Sequence, residues 1–444
     1  MCLQWRCKMD EYLKEVLDQI RCKKAHAAIR EELESHITDQ IEDNVTAGMT
    51  REEAEKAAVY DMGNPVTTGI SLDQIHRPKA AWQMIVLMAV IMLASVWIHW
   101  KIGMPRACTQ IIAGFCVMLC MYHLDYTRIA AMAKWIAAGI LAIGIVSLFF
   151  GLAVGGTIRT VWFGSFGISM FSFLMLYVPA YGAILYSYYG EGYLALVKAL
   201  LWAVPPLFIA LRLPSLTLFV ILFVCMVSLL ILGIAKNWFR VNQKSVLTAI
   251  GAVFLVLPMP GILLIANAPY QIDRIRNFLT GDIEWNYVTR ALKDCFANSI
   301  FIGNGVEELK TILPDYNNNF ILAYLTGTYG YIACIAICAV LALLVFAIFS
   351  TVFHQKNQLG MMMGFGSGMI IFVNIAINLL ENFGILPTSQ TFLPFFSQGG
   401  SSVFVCYILM GIILSVYRYK DVYSVHVPKR EGRDRLPKVR LIIE

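Results

Sequence analysis

The chain has 444 residues, of which 58% are hydrophobic and 14% charged, and its mean hydropathy is +0.66. A soluble globular protein of ordinary composition has about 25% charged residues, which excludes a mostly water-facing chain. The net charge of +6 does not indicate nucleic-acid binding, because no basic helix with interleaved aromatic residues occurs and the excess lies in short loops and the tail.

The eleven cysteines are scattered, without a C-x-x-C pair, and most lie in apolar runs, where cysteine behaves as a small hydrophobic residue. The sequence therefore predicts neither a disulfide framework nor a metal site. The first 30 residues are charged and amphipathic, which does not match a cleavable signal peptide.

Residues 1–79 form a charged segment that holds 26 of the 64 charged residues. Apolar residues recur at the helical period in two stretches. These residues are Leu13, Val16, Leu17 and Ile20, followed by Ile29, Leu33, Ile37 and Ile41. A capping-box spacing at Thr50 to Glu53 begins a third helix, which we expect to stop before Gly63, with Pro65 beyond it. The segment thus predicts a three-helix cytoplasmic domain.

The stretch 31–65 of this segment resembles the permease-prefix type of cytoplasmic domain found ahead of various bacterial membrane proteins. The resemblance implies regulation or partner binding rather than chemistry.

From Ala80 onward the chain consists of apolar stretches close to the ~20 residues that a helix needs to cross the ~30 Å hydrocarbon layer of a membrane. Ten spans are predicted, at 81–99, 108–124, 131–153, 167–187, 193–211, 216–235, 246–266, 320–349, 361–379 and 402–417. Ten crossings place both termini on one side of the membrane.

Basic residues identify that side as the cytoplasm. The loops on this side contain Arg128, Lys134, Lys236, Arg240, Lys244 and Lys356, and the tail after residue 417 adds eight Lys/Arg. Lys101 and Arg106 are exceptions that fall outside, which snorkelling at span ends makes tolerable. The pattern predicts a multi-pass protein of the bacterial plasma membrane, with both termini cytoplasmic.

The fold class is accordingly all-α, a ten-helix membrane domain at 80–417 preceded by the domain at 1–79 and followed by a basic cytoplasmic tail at 418–444. One long outward loop, 267–319, holds most of the extracytoplasmic charge. Long loops are usually functional or disordered, so we expect the site there.

A dense motif lies between Asn374 and Ser402, which reads NIAINLLENFGILPTSQTFLPFFSQGGSS. It resembles the G-x-L-P-T-x-x-T-x-P-F-x-S-x-G-G-S-S signature of the SEDS family (shape, elongation, division and sporulation; FtsW/RodA/SpoVE). The residues in register are Leu386, Pro387, Thr388, Thr391, Pro394, Phe395, Ser397, Gly399, Gly400, Ser401 and Ser402. Glycine and proline permit a broken backbone at membrane depth where it lines a cavity or is covered by protein.

Upstream residues extend the resemblance to about 82–417. Pro269-Tyr270-Gln271 through Arg274 and Leu279 matches the family's P-Y-Q-x-x-R-I-x-x-F-L. The further matches are Tyr287, Gly303, Gly305, Leu313 and Pro314, with Trp162 and nearby Arg159 where the family has N-G-A-R-R-W.

The resemblance implies that the chain joins lipid II, or a related undecaprenyl-linked precursor, into glycan strands at the outer membrane face. The implied partners are a class B penicillin-binding protein and membrane lipid. This chemistry needs a base for the attacking sugar hydroxyl and positive groups for the departing lipid pyrophosphate. No cofactor is indicated, and a divalent cation is left open.

The sequence departs from the family at its acidic positions. The carboxylate of the family's H-T-D-F-I-F is replaced by Asn319, and an amide cannot accept a proton at neutral pH. The acidic residues of the family's Q-P-S-E and Q-P-D-x-G-T elements are also missing, at 171–174 and 213–218. Because a general base contributes typically ~10²–10⁴-fold, the usual mechanism is removed.

Asp315 could replace the lost carboxylate, because one helical turn would place it on the same face as Asn319. Asp294, Glu307 and Glu308 are further candidates without motif support, and the simpler interpretation is that all four are solvated loop charges. Candidates for substrate binding are Trp162, Arg159, Arg274, Arg276, Lys310, Pro394, Gly399, Gly400 and Ser401, and Arg290 could also meet a pyrophosphate.

Three functions remain open at this stage. The chain is a divergent SEDS polymerase, a catalytically inactive SEDS homologue that acts as scaffold or regulator of a synthase, or a transporter of the lipid-linked precursor. The sequence has no internal repeat and no charged residue deep in a predicted span, and both observations argue against transport.

Overall fold

The computed structural model describes residues 2–154, 158–163, 166–213, 215–256, 276, 287–304, 309–389 and 391–423. The chain divides into two compact units. The first comprises residues 1–79, 356–358 and 419–444, and the second comprises residues 80–355 and 359–418.

The first unit contains four helices rather than the three expected. They are α1 Cys2–Asp18, α2 His26–Thr46, α3 Arg51–Asp61 and α4 Pro65–Ile75. Thr50 caps α3 with the predicted capping box, in which Thr50 and Glu53 hydrogen-bond each other's backbone. Asn64 caps α4, and Pro65 is its first residue, a position at which the missing N–H costs nothing. The proline that suggested the end of the helices therefore begins another.

The core of the first unit is formed by the apolar faces of its helices. Fully buried Leu13 and Val16 of α1 share it with Ile29 and Ile37 of α2. Tyr419, which follows the last membrane helix, lies in the same unit, where Lys24 Nζ is 4.4 Å from the centre of its ring. The unit thus includes the first residues of the predicted basic tail, and residues 424–444 lie outside the described residues.

The second unit is a bundle of long apolar helices. In chain order its helices are α5 Trp82–Ile102, α6 Pro105–His123, α7 Tyr126–Ala131, α8 Ala133–Phe150, α9 Met170–Phe173, α10 Tyr177–Ser187, α11 Tyr193–Arg212, α12 Leu216–Ala235, α13 Gln243–Val256, α14 Tyr287–Asn298, α15 Leu309–Ile312, α16 Ile321–Tyr329, α17 Tyr331–Phe353, α18 Gln358–Asn382 and α19 Gly400–Arg418. A 3₁₀ turn at Leu174–Leu176 joins α9 and α10 into one apolar segment.

Nine helical segments among the described residues are long and apolar enough to cross a membrane. They are α5, α6, α8, Met170–Ser187, α11, α12, α17, α18 and α19. The chain is a multi-pass membrane protein. The remaining predicted span, 246–266, begins within α13, and its residues from 257 onward lie outside the described part of the chain.

A three-stranded antiparallel sheet follows the C-terminal end of α8, mostly in the connection between the predicted spans 131–153 and 167–187. It consists of β1 Leu152–Val154, β2 Ile158–Phe163 and β3 Phe166–Ser169, in the order β1-β2-β3. The backbone N–H of Ser169 donates to Ser401 Oγ at 3.2 Å, so the sheet lies beside the beginning of α19.

Gly330 divides the predicted span 320–349 into α16 and α17. Its φ is +87°, a left-handed conformation that favours glycine. A methyl group there would lie 2.6 Å from the carbonyl oxygen of Phe301 and 2.7 Å from that of Ile300. These two oxygens lie close to Gly330 because they are hydrogen-bonded to the residues that follow it. The oxygen of Phe301 accepts from the N–H of Ile332, and that of Ile300 accepts from the N–H of Tyr331.

We expect Gly330→Ala to lower the midpoint of thermal unfolding in detergent. The added methyl group would collide with the two carbonyl oxygens, and alanine would also be strained at a positive φ. Gly103 is the comparison, since it shares the φ of +87° and a methyl group there would meet no atom within 4 Å, although its ψ of 32° lies in the ordinary left-handed region and that of Gly330 is 178°. Gly103→Ala should therefore show the effect of a left-handed backbone without a collision, about 1 kcal/mol. Equal losses for the two variants would contradict the collision.

Candidate functional site

Polar side chains from three segments meet at one end of the bundle. Asn319 precedes α16, three residues lie in the last turns of α18, and two follow in the connection to α19. We call this group the polar centre, and its members are Asn319, Asn378, Glu381, Asn382, Ser389 and Thr391. All but Ser389 are buried, which makes their hydrogen bonds decisive for stability.

Asn319, the residue in the family's carboxylate position, is 6% exposed. Its Nδ2 donates to the carbonyl oxygen of Ser389 at 3.4 Å. Its own carbonyl oxygen accepts from Asn378 Nδ2 at 3.0 Å and from Asn382 Nδ2 at 3.1 Å. These bonds fix the chain just before α16 against α18.

Asn378 and Asn382 lie one helical turn apart on the face of α18 that meets this segment. Asn382 Oδ1 accepts from the backbone N–H of Ala323 at 3.2 Å, while its Nδ2 also reaches Asn378 Oδ1 at 3.1 Å. Asn378 Nδ2 donates to Thr391 Oγ1 at 3.3 Å as well. The two amides therefore connect all three segments of the polar centre.

Glu381 brings a carboxylate into the polar centre. It is 1% exposed, and its two oxygens accept from the hydroxyls of Ser389 and Thr391, the latter at 2.6 Å. It is the penultimate residue of α18, one of the candidate spans, and so lies near the end of the span rather than deep within it. The predicted span 361–379 ended two residues too early to include it.

The residues just before Asn319 form direct hydrogen bonds with the signature segment. Asn317 hydrogen-bonds through its side-chain amide to Gln398 Oε1, and its carbonyl oxygen accepts from the Gln398 N–H at 2.8 Å. Ser397 Oγ donates to the carbonyl oxygen of Asn318 at 2.6 Å. The two regions that carry the family resemblance, 317–319 and 386–402, are therefore in contact.

The predicted binding residues of the signature lie at the edge of this contact. Pro394 is buried, whereas Gly399, Gly400 and Ser401 are half-buried. A methyl group on Gly400 would lie 3.2 Å from Gln110 Nε2 of α6, so a glycine allows this close approach. The neighbouring Phe395 has a φ of +68° and is 1% exposed, a strained backbone of the kind found at functional sites.

The structure does not form the helical turn expected between Asp315 and Asn319. Asp315 has a φ of +50°, and its carbonyl oxygen accepts from the N–H groups of Asn318 and Phe320 in successive turns. Its side chain is exposed whereas Asn319 is buried. The pair expected to share a helix face is thus separated, because local turns replace the helix.

The basic candidates whose side chains the structure describes are exposed and do not belong to the buried group. Lys310 of α15 and Arg276 are exposed, and Arg274 lies outside the described residues. The backbones of Arg159 and Trp162 belong to β2, paired with Ala153 and Gly167 respectively. The side chains of these two residues lie outside the described part of the chain.

A cavity of about 360 Å³ opens beside α14 and α15. Its lining residues are Tyr287, Arg290, Ala291, Asp294, Cys295, Asn298, Leu309 and Ile312. Burial raises the pKa of the Cys295 thiol to about 11, and the thiol donates to the carbonyl oxygen of Ala323 at 3.3 Å. A neutral thiol held in this way packs α14 against α16 and does not act as a nucleophile.

The three polar residues of α18 were not predicted as site residues, although they left a signal in the sequence. Asn374, Asn378, Glu381 and Asn382 follow the spacing i, i+4, i+7 and i+8, which is a polar stripe on one face of an otherwise apolar helix. Ionisable groups in spanning helices usually mark functional sites. The described residues contain no group of three or more His, Cys, Asp or Glu side chains that could hold a metal ion.

The fold and the polar centre define a multi-pass α-helical membrane protein with a buried polar site at one end of its bundle. A family model for the cell cycle proteins FtsW, RodA and SpoVE matches residues 77–422. The chain belongs to this family, and the SEDS assignment made from the sequence is confirmed.

Two relatives illustrate the range of similarity. A probable peptidoglycan glycosyltransferase FtsW of Aliivibrio salmonicida is 26% identical over 306 residues, covering 64% of this chain and 72% of that protein. The corresponding protein of Hydrogenovibrio crunogenus is 32% identical over 180 residues, covering 37% of this chain and 45% of its own length.

Solved structures agree on the fold. One chain of a peptidoglycan synthase complex, studied for its coordination of polymerization and crosslinking, has a TM-score of 0.64 at 17% identity and covers 76% of this chain and 98% of its own. The rod shape determining protein RodA of Thermus thermophilus has a TM-score of 0.56 at 15% identity, with 77% and 97% covered.

Proposed function

We propose that this protein polymerises a lipid-linked cell-wall precursor of the lipid II type at the outer face of the plasma membrane. The reaction joins a sugar hydroxyl of one precursor to the anomeric carbon of another, and a lipid pyrophosphate departs. The observation that carries the proposal is the contact of 317–319 with the signature segment around Ser397 and Gln398. Both family motifs thereby form one site instead of two unrelated loops.

The placement of the site suits a substrate that lies in the membrane. The polar centre is at the bundle end that carries the β-sheet, and the positive-inside pattern assigns this end to the outside. A lipid-linked substrate presents its sugars and pyrophosphate at this level. Exposed Lys310 and Arg276, together with Arg274 and the β2 residues Arg159 and Trp162, are the groups that we assign to its charged and sugar portions.

The assigned partner is a crosslinking enzyme of the class B penicillin-binding proteins. The support is that the structural neighbour with a TM-score of 0.64 belongs to a peptidoglycan synthase complex. We assign the four-helix unit and both termini to the cytoplasm, where the basic loops lie. Regulation or partner binding is the role proposed for that unit.

A second function is favoured by the amide of Asn319. Without a carboxylate at this position the chain could bind the precursor and support a partner synthase while performing no chemistry. This inactive form retains every framework contact described above.

An assay with fluorescent lipid II separates the two functions. The purified protein, with and without the class B synthase from the same genome, is incubated with labelled lipid II, and the products are separated by gel electrophoresis. We expect long glycan strands. Lipid II that binds to the protein, measured by microscale thermophoresis, but is never polymerised would establish the inactive form instead.

A further inference from the structure

Glu381 is a buried carboxylate near the end of α18, a candidate membrane-spanning helix. It is 1% exposed, although burying a charged carboxylate costs several kcal/mol unless hydrogen bonds compensate. It is also the penultimate residue of α18, so it lies where the negative end of the helix macrodipole opposes an anion. If the side chain at this position served only to fill space, an apolar residue of similar volume would make the fold more stable.

Two hydroxyls compensate the carboxylate. Thr391 Oγ1 donates to one oxygen at 2.6 Å and is fully buried, whereas Ser389 Oγ donates to the other and is half-buried. Ser389 is therefore the member of the pair that connects the enclosed carboxylate to the accessible side of the polar centre.

Ser389 also connects Glu381 to the position at which the family has its carboxylate. Its carbonyl oxygen accepts from Asn319 Nδ2 at 3.4 Å, while its hydroxyl donates to Glu381. A single residue thus separates the amide at 319 from a carboxylate on the neighbouring helix. The carboxylate that is missing at position 319 is therefore present at Glu381, and Ser389 is the hydrogen-bonded residue between them.

We propose that Glu381, acting through the hydroxyl of Ser389, takes the proton of the attacking sugar hydroxyl in place of a carboxylate at 319. This inference rests on the proposed polymerase function. The sugar oxygen forms a bond to the anomeric carbon of the second precursor, and the bond from that carbon to the pyrophosphate oxygen breaks with its electron pair on the lipid pyrophosphate. The sugar proton passes to Ser389 Oγ as the serine proton passes to Glu381 Oε1.

The proposal makes Glu381 a positioning and proton-accepting residue that does not touch the substrate. Its removal should therefore be compensated by a carboxylate at the position next to it in the network. Asn319→Asp supplies such a group, because the aspartate would lie in the family's position beside Ser389. A purely structural role of Glu381 offers no reason for this compensation.

The test measures glycan polymerisation rates by the full-length protein with its synthase partner and labelled lipid II. We expect Glu381→Gln to reduce the rate by at least about 100-fold, and the double variant Glu381→Gln/Asn319→Asp to recover at least about a tenth of the original rate. Glu191→Gln is the matched control, because it neutralises a half-exposed carboxylate that pairs with Lys198 at 3.1 Å outside the site.

Two further variants distinguish the proposed role from simple misfolding. Ser389→Ala keeps Glu381 and should reduce the rate more than Thr391→Val, since the half-buried serine, unlike the fully buried threonine, links the carboxylate to the accessible side.

The outcomes distinguish the inference from the function on which it rests. Full activity of Glu381→Gln, or a folded but inactive Glu381→Gln that Asn319→Asp does not rescue, overturns the role of Glu381 and leaves the polymerase function standing. An unchanged protein that forms no glycan under any condition overturns both.

Discussion

Asn382→Ala should lower the free energy of unfolding by about 3 kcal/mol, because each buried group left without a hydrogen-bond partner costs ~1–3 kcal/mol. Asn382 is fully buried and joins α18 to the beginning of α16. Its loss leaves the N–H of Ala323 without its side-chain acceptor and takes one of two donors from the carbonyl oxygen of Asn319. Denaturant titration in mixed micelles, with tryptophan fluorescence as the signal, measures the change.

Asn374→Ala is the matched control for this prediction. Asn374 is also buried in α18, two turns earlier, but its Nδ2 donates to the carbonyl oxygen of Ile370 in the same helix at 2.8 Å and to the sulfur of Met175 at 3.5 Å. Its removal breaks no bond between α18 and the 319–323 segment. A loss for Asn374→Ala as large as that for Asn382→Ala would show that burial, and not the connection, decides the stability.

On the proposed polymerase function, the loss of Asn382 should also weaken lipid II polymerisation, because Asn319 would no longer be held in register with Ser389. Active sites tolerate misplacements of about 1 Å poorly. The rate should recover on lowering the temperature if local unfolding is the cause, and it should stay low if the geometry itself is altered.

The membrane helices were predictable because the property that forms them is local. A run of about 20 apolar residues must become helical to satisfy its backbone in lipid, whatever its neighbours are. The capping box at the start of α3 was predictable for the same reason, because it depends only on Thr50 and Glu53. Gly330, in contrast, ends a helix because of the carbonyls of Ile300 and Phe301, which are 29 or more positions away in the chain.

The candidate site was predictable only where its motifs resemble a family. The signature residues around Ser397 identified the segment, but the sequence could not indicate that this segment contacts Asn318. The buried carboxylate was missed because Glu381 matches no motif position and lies at the end of an apolar run. Its spacing from Asn374 and Asn378 was the available signal, and only the packing of α18 against the 319 segment shows its relevance.

The β-sheet was missed for a different reason. Residues 152–169 are apolar and glycine-rich, and most of them lie between the predicted spans 131–153 and 167–187, so they were assigned to a connection without secondary structure. Short apolar stretches cannot be assigned to strand or helix by periodicity alone. The bond from Ser169 to Ser401, which places the sheet, joins residues that are 232 positions apart.

Gly411→Leu should destabilise the protein by about 3 kcal/mol or more, the upper range for overpacking a close-packed interior. Gly411 of α19 is buried against α6, where an added Cβ would collide with Met121 Cβ and lie 3.0 Å from the carbonyl oxygen of Met118. Gly114 of α6 meets Tyr407 in the same way. Membrane helices approach this closely through small residues, since lipid offers no hydrophobic force that would hold a wider interface together.

Gly139→Leu provides the control, because Gly139 of α8 is exposed and a Cβ there would meet nothing within 4 Å. It adds the same side chain to a membrane helix without crossing an interface. The midpoint of thermal unfolding in detergent should fall by several degrees for Gly411→Leu and change little for Gly139→Leu. Equal effects would mean that the bulk of leucine, and not the α6 contact, is responsible.

The effect of Gly411→Leu should extend to the site, since α19 carries the signature at its beginning. Gly400 lies against Gln110 of α6, and Ser401 accepts from the sheet at Ser169. A leucine that pushes α19 away from α6 would displace both contacts, and with them the segment that holds Asn317 through Gln398. On the proposed polymerase function, we therefore expect lipid II polymerisation to fall even at temperatures where Gly411→Leu remains folded, whereas Gly139→Leu should keep its rate.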